Sequence, residues 1–127
     1  MIGLPSAVRV FLCTSPTDMR KSFDGLTALV RDHLKLPPLS GHLFVFRSRQ
    51  GNRLKILYWD RTGLAIWYRR LEKGTFRWPQ AAREGVGSLE MTSADLMLML
   101  EGIDLAGARR QRRFTLPEKM KAEATLL

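Results

Sequence analysis

Two hydrophobic periods alternate along the chain. Val8 to Cys13, VRVFLC, is rich in apolar and β-branched residues and predicts a strand. Thr14-Ser15-Pro16 follows it: Ser15 can cap a helix, Pro16 suits the first helical position and Asp18 lies three residues beyond the cap, so helical structure is expected from here. Phe23, Leu26, Val30 and Leu34 recur at steps of three and four with Arg31, Asp32 and Lys35 between them, an amphipathic stripe that Pro37-Pro38 brings to an end.

The period then falls to two. HLFVFRS from His42, RLKILYW from Arg53 and GLAIWYRR from Gly63 read as strands, separated by Gln50-Gly51-Asn52 and Asp60-Arg61-Thr62-Gly63, short glycine-containing connections of the kind that join antiparallel neighbours. Leu54, Ile56 and Tyr58 share one side of their strand and Arg53, Lys55, Leu57 and Trp59 the other, while in the next strand Leu64, Ile66 and Tyr68 oppose Ala65, Trp67 and Arg69. One face is therefore expected to be core and the opposite one to carry the basic and tryptophan side chains together. Phe76, Trp78 and Pro79 are candidates for a brief further strand ahead of the looser AAREGVGS. Thr92-Ser93-Ala94-Asp95 repeats the capping signature and opens a helix in which Leu96, Met97, Met99, Leu100 and Ile103 leave little polar surface, with Gly102 at its end. The predicted class is α+β: a small antiparallel sheet of consecutive hairpins flanked by an N-terminal and a C-terminal helix, occupying residues 1–105, with a mobile basic tail over 106–127.

Composition supports a folded body, with 45% hydrophobic and 26% charged residues in a 127-residue chain of single-domain size. The sign of the charge is what narrows function: 21 Lys and Arg against 12 Asp and Glu give +9, a field that gathers polyanions. A membrane partner is not expected, because the longest apolar run, Leu96 to Leu100, is too short to span a bilayer. MIGLPSAVRVFLC lacks the plan of a secretory signal, so a cytoplasmic location is expected.

Catalytic chemistry finds little footing. Cys13 is the one cysteine, which excludes an intramolecular disulfide and a cysteine-based zinc cluster. His33 and His42 have no second ligand at metal-binding spacing. The acids are spread through caps, turns and helices among basic neighbours, and neither GxSxG nor GxxxxGK occurs. No enzyme activity, metal or cofactor is expected. The basic residues, by contrast, concentrate. Arg47, Arg49, Arg53, Lys55, Arg61, Arg69, Arg70, Lys73 and Arg77 fall in one hairpin unit with Trp59 and Trp67, and Arg109, Arg110, Arg112 and Arg113 follow in the tail. Guanidinium groups pair with phosphate oxygens and indole faces stack on bases, so these residues are the candidate nucleic-acid surface. The strand cations are expected to be surface groups whose removal spares thermal stability.

Three blocks, TDMRKSFDGL, SGHLFVFRSRQGNRLKILYWDRTGLAIWYRRLEKGTFRWP and LMLEGIDL, resemble in order and spacing the accessory protein encoded by the second reading frame of the insertion-sequence-sixty-six family of bacterial transposons, often called TnpB. The resemblance covers roughly residues 5 to 105. It implies a small protein made beside a separate DDE-type transposase and needed for efficient transposition. Carried over by position, its first motif is Asp18, Met19, Arg20, Lys21, Phe23, Asp24 and Gly25, with Ser22 where a glycine is usual. Two roles follow: a noncatalytic factor that binds DNA and assists the transposase, or a protein adaptor for the transposase that touches no DNA.

Overall fold

The computed structural model describes residues 7–79 and 87–101. Five strands, β1 (Val10–Cys13), β2 (Leu43–Arg47), β3 (Arg53–Asp60), β4 (Gly63–Arg70) and β5 (Ser88–Met91), form one sheet in the order β4-β3-β2-β1-β5. Among the described residues two helices accompany them. α1 (Phe23–Ala28) widens into a π-type winding over Leu29–His33, and α2 spans Ser93–Leu100. The α+β class is as the pattern predicts.

The sheet is mixed, which corrects the expectation of consecutive hairpins. Hairpin connection holds for β2, β3 and β4, but β1 lies parallel to β2 and β5 pairs antiparallel with β1 on the outer edge. A parallel pair needs a long crossover, and residues 14–42, including α1, supply it. β5 escapes a sequence reading because Ser88-Leu89-Glu90-Met91 is short and only half apolar. The brief further strand expected at Phe76, Trp78 and Pro79 is not formed: Phe76 and Trp78 are buried, and the Phe76 N–H donates to Gly51 O.

Both faces of the sheet carry a core, so the expected division into one core face and one basic face is also corrected. Val10, Leu12, Leu43, Val45, Leu54 and Ile56 cluster with Phe76, Trp78 and the α2 residues Leu96, Met99 and Leu100. Phe11, Cys13, Phe44, Phe46 and Leu57 point the other way and cluster with Leu26, Val30 and Leu34. Strand alternation is the cause: a short strand covered on both sides is apolar throughout, as the four buried residues of β1 are.

Helix boundaries follow local chemistry. The predicted start at Ser15-Pro16 is replaced by Phe23, because the Asp18 carboxylate accepts from the Arg20 N–H and bends the chain in a turn before the helix. Phe23 is exposed, so the buried stripe begins at Leu26. The Leu34 N–H reaches back to Leu29 O, the wider spacing of a π turn, and Lys35 then takes a left-handed conformation with φ 58 ahead of Pro37. At α2 the predicted cap is present: Thr92 Oγ1 accepts from the Asp95 N–H at 3.0 Å. Gly102, Ile103 and the tail lie outside the described residues. Among those described, no helix is long and apolar enough to cross a membrane.

Thr92→Ala is expected to lower unfolding free energy by about 1 kcal/mol, the usual value of a helix N-cap, measured by urea denaturation; an unchanged midpoint would show that packing alone sets the start of α2.

Candidate nucleic-acid interface

Strand direction brings the cations to one end of the sheet. β1 and β2 finish there, β3 starts at Arg53, β4 finishes at Arg70 and β5 starts at Ser88. Arg47, Arg49, Arg53 and Arg70 thus share this end. The segment beyond β4 is tied to it as well, through Leu71 N–H to Asn52 O and Phe76 N–H to Gly51 O, so Lys73 and Arg77 flank the same end. Arg53 and Arg70 are direct cross-strand partners. Like charges so placed repel, and the nearby Glu72 carboxylate stands 3.9 Å from Arg70.

The first motif block is fastened here by Lys55. This residue is buried within an otherwise apolar stretch of β3, and its Nζ donates to Met19 O at 2.8 Å and Lys21 O at 2.7 Å while lying 4.7 Å from the centre of the Tyr68 ring. The ammonium joins loop, strand and edge-strand aromatic. Asp18 closes the corner on its outer side. Its carboxylate receives two Arg20 side-chain nitrogens, with the shortest contact 2.7 Å, and this hydrogen bonding holds its pKa at about 2. Gly25 lets the Lys21 stem lie across α1, since a Cβ there would come 3.2 Å from Lys21 Cβ and Cγ. Arg20 remains almost fully exposed. Asp24 is exposed in the first turn of α1, and Met19 packs against the apolar cluster beneath.

The sequence candidates therefore separate. Arg49, Arg53, Arg70, Lys73 and Arg77 surround the basic end, and the guanidinium of Arg47 lies 5.4 Å from the Trp78 ring centre. Lys55 faces inward. Arg69 Nη1 donates to Leu100 O at 2.7 Å and so caps the last turn of α2. Arg61 stands in the β3–β4 turn at the far end, with φ 53. Trp67, opposite Ile56, and Trp59, opposite Leu64, fall on different faces of the sheet, and both are half-buried. Arg109, Arg110, Arg112 and Arg113 lie outside the described residues. Tyr68, which is not among the nucleic-acid candidates drawn from the sequence, lies beside Lys55 with an exposed ring.

The histidines serve other ends: His42 Nδ1 accepts from the Arg9 N–H at 3.0 Å, and His33 is exposed. Among the described residues no three His, Cys, Asp or Glu side chains gather as a metal site.

The family model described as IS66 Orf2-like protein matches residues 8–110, taking in the whole sheet and its basic end. The uncharacterized protein y4hO of Sinorhizobium fredii is 46% identical over 103 residues, covering 80% of this chain and 87% of that protein. A second protein of that organism, y4jC, is 34% identical over 111 residues, covering 87% of this chain and 92% of its own length. No solved structure matches.

Lys55→Met should cost about 2 kcal/mol, because two carbonyls lose a charge-assisted donor, as read from urea denaturation; a neutral effect would remove Lys55 as the fastening of the corner. Asp18 has a depressed pKa, so its contribution is complete above pH 3.8 and is lost as pH falls through about 2. Its carboxyl titration, followed by NMR, is expected to have a midpoint near 2 and to move toward 3.8 in Arg20→Gln.

Proposed function

Because the chain belongs to the IS66 Orf2-like family of insertion-sequence accessory proteins, we propose that it serves transposition as a noncatalytic DNA-binding factor, its basic sheet end holding a duplex for a separate, element-encoded transposase. The supporting observation is the Arg53–Arg70 pair. Two arginines in register on adjacent strands, one of them 3.9 Å from the Glu72 carboxylate, concentrate positive charge that a phosphate backbone lying over them neutralises. Arg20, Lys21 and Arg49 extend the surface around that pair, and the exposed Tyr68 ring offers a flat apolar contact beside it. Such a surface positions DNA through its backbone and reads no sequence directly. The proposed setting is the cytoplasm, with the tail arginines Arg109, Arg110, Arg112 and Arg113 adding further phosphate contacts.

A second reading, an adaptor for the transposase without DNA contact, draws on Met97 and Leu98, which α2 leaves exposed. The two readings part on salt. Under the first, the logarithm of duplex affinity falls linearly with the logarithm of salt concentration, and the double variant Arg53→Ser with Arg70→Ser lowers both affinity and slope, the slope by about two for two lost phosphate contacts. Arg61→Ser, at the other end of the sheet, should change the affinity less. Fluorescence anisotropy of a labelled duplex measures all of this, and absence of binding at low salt would favour the adaptor.

A further inference from the structure

The carboxyl ends of the parallel pair β1 and β2 border a hollow of about 220 Å³ walled by residues 13–16, 47–49 and Trp78. Crevices outside the carboxyl ends of parallel strands are where open sheets with helical crossovers receive ligands. The lining here has a consistent chemistry. Arg47 contributes a guanidinium held against the Trp78 ring, and it is further confined by Gly51, where a Cβ would stand 2.4 Å from Arg47 Nη2. Gly51 has φ 80, so the turn places bare backbone against this arginine. Arg49 is exposed at the rim.

The hydroxyls complete a donor set. Ser48 Oγ accepts from the Arg53 N–H at 3.1 Å, which leaves its own O–H to donate elsewhere, and Ser15 stands exposed in the opposite wall. Thr14 Oγ1 donates to Gly87 O at 2.9 Å and thereby fixes that wall to the start of β5. Among the described residues that line the hollow there is no carboxylate. The Cys13 thiol is pushed up in pKa by burial, so the hollow gains no negative charge from it at neutral pH.

From this arrangement we propose that the hollow binds a single phosphate group, received by Arg49 and the hydroxyls of Ser15 and Ser48, with the Arg47 guanidinium beside it as a fixed positive charge. The planar arginine fork suits phosphate oxygens, and a concave, three-sided lining holds one group more firmly than an open contact does. The phosphate can come from a nucleic-acid strand or from a free nucleotide or inorganic phosphate. Its strand source rests on the DNA-binding reading above, while the pocket itself does not.

The test uses the full chain and inorganic phosphate. Amide signals of Ser15, Ser48 and Arg49 are followed by NMR as phosphate replaces chloride at constant ionic strength. Saturable shifts with phosphate and none with chloride are expected, and Arg49→Gln should weaken the binding about five-fold while leaving the thermal midpoint in place. Ser15→Ala, in an exposed loop, supplies a second variant expected to weaken it. Shifts that do not saturate, or that chloride reproduces, overturn the pocket. Addition of an unlabelled duplex distinguishes the sources: displacement of bound phosphate supports a strand phosphate in the hollow, and undisturbed phosphate binding in the presence of bound duplex overturns that source. Saturable phosphate binding by a chain that binds no duplex keeps the pocket and refutes the DNA reading.

Discussion

A buried lysine organises the basic end of this sheet. Lys55 projects from the middle of the sheet into apolar surroundings, and an ammonium there is tolerated only when its donors find acceptors. The carbonyls of Met19 and Lys21 meet that need, and in doing so they are drawn onto the strand. The motif corner from Asp18 to Gly25 is thereby fixed relative to β3 and β4, with Arg20 turned outward and the Lys21 stem laid along α1. The same charge that stabilises the corner against the sheet is unavailable for a ligand. Its contribution is positional.

Topology supplies the remainder. Had β1 and β2 been joined as a hairpin, their carboxyl ends would lie at opposite ends of the sheet, with Arg47 and Cys13 far apart. The parallel crossover brings them to one side, where β3 begins with Arg53 and β4 closes with Arg70. Cations that are dispersed over some thirty sequence positions become neighbours by strand direction alone. Others at similar spacing are spent on the fold: Arg69 on the last turn of α2, and Arg9 on Glu90 at 2.6 Å. Charge content in this chain overstates the surface available to a polyanion, and only the arrangement separates the two uses.

The sequence showed local structure well and long-range order poorly. β1 to β4 and the Thr92 cap were legible because alternation and capping chemistry are local signals. The parallel pairing was not, since nothing in VRVFLC says which neighbour it will choose. β5 was hidden by its polar half. The start of α1 was misplaced because Asp18 can serve a turn as readily as a cap, and its partner Arg20 decides between them. At the basic end the residue types were legible but their sorting was not: a lysine between Leu54 and Ile56 reads as a solvent-facing alternation until α1 covers that face as well. The hollow between Ser15 and Ser48 depends on segments more than thirty residues apart and left no contiguous motif to find.

The central claim is that one end of the sheet meets DNA. Mapping the amide and arginine side-chain NMR signals that move when a short duplex is titrated into the full chain tests it most directly. The account predicts that the shifts concentrate in residues 15–21, 47–53 and 70–77, with Arg9, Arg61 and Glu90 at the other end little affected. Shifts spread evenly over both ends, or gathered around Arg61 and the β3–β4 turn, would contradict it.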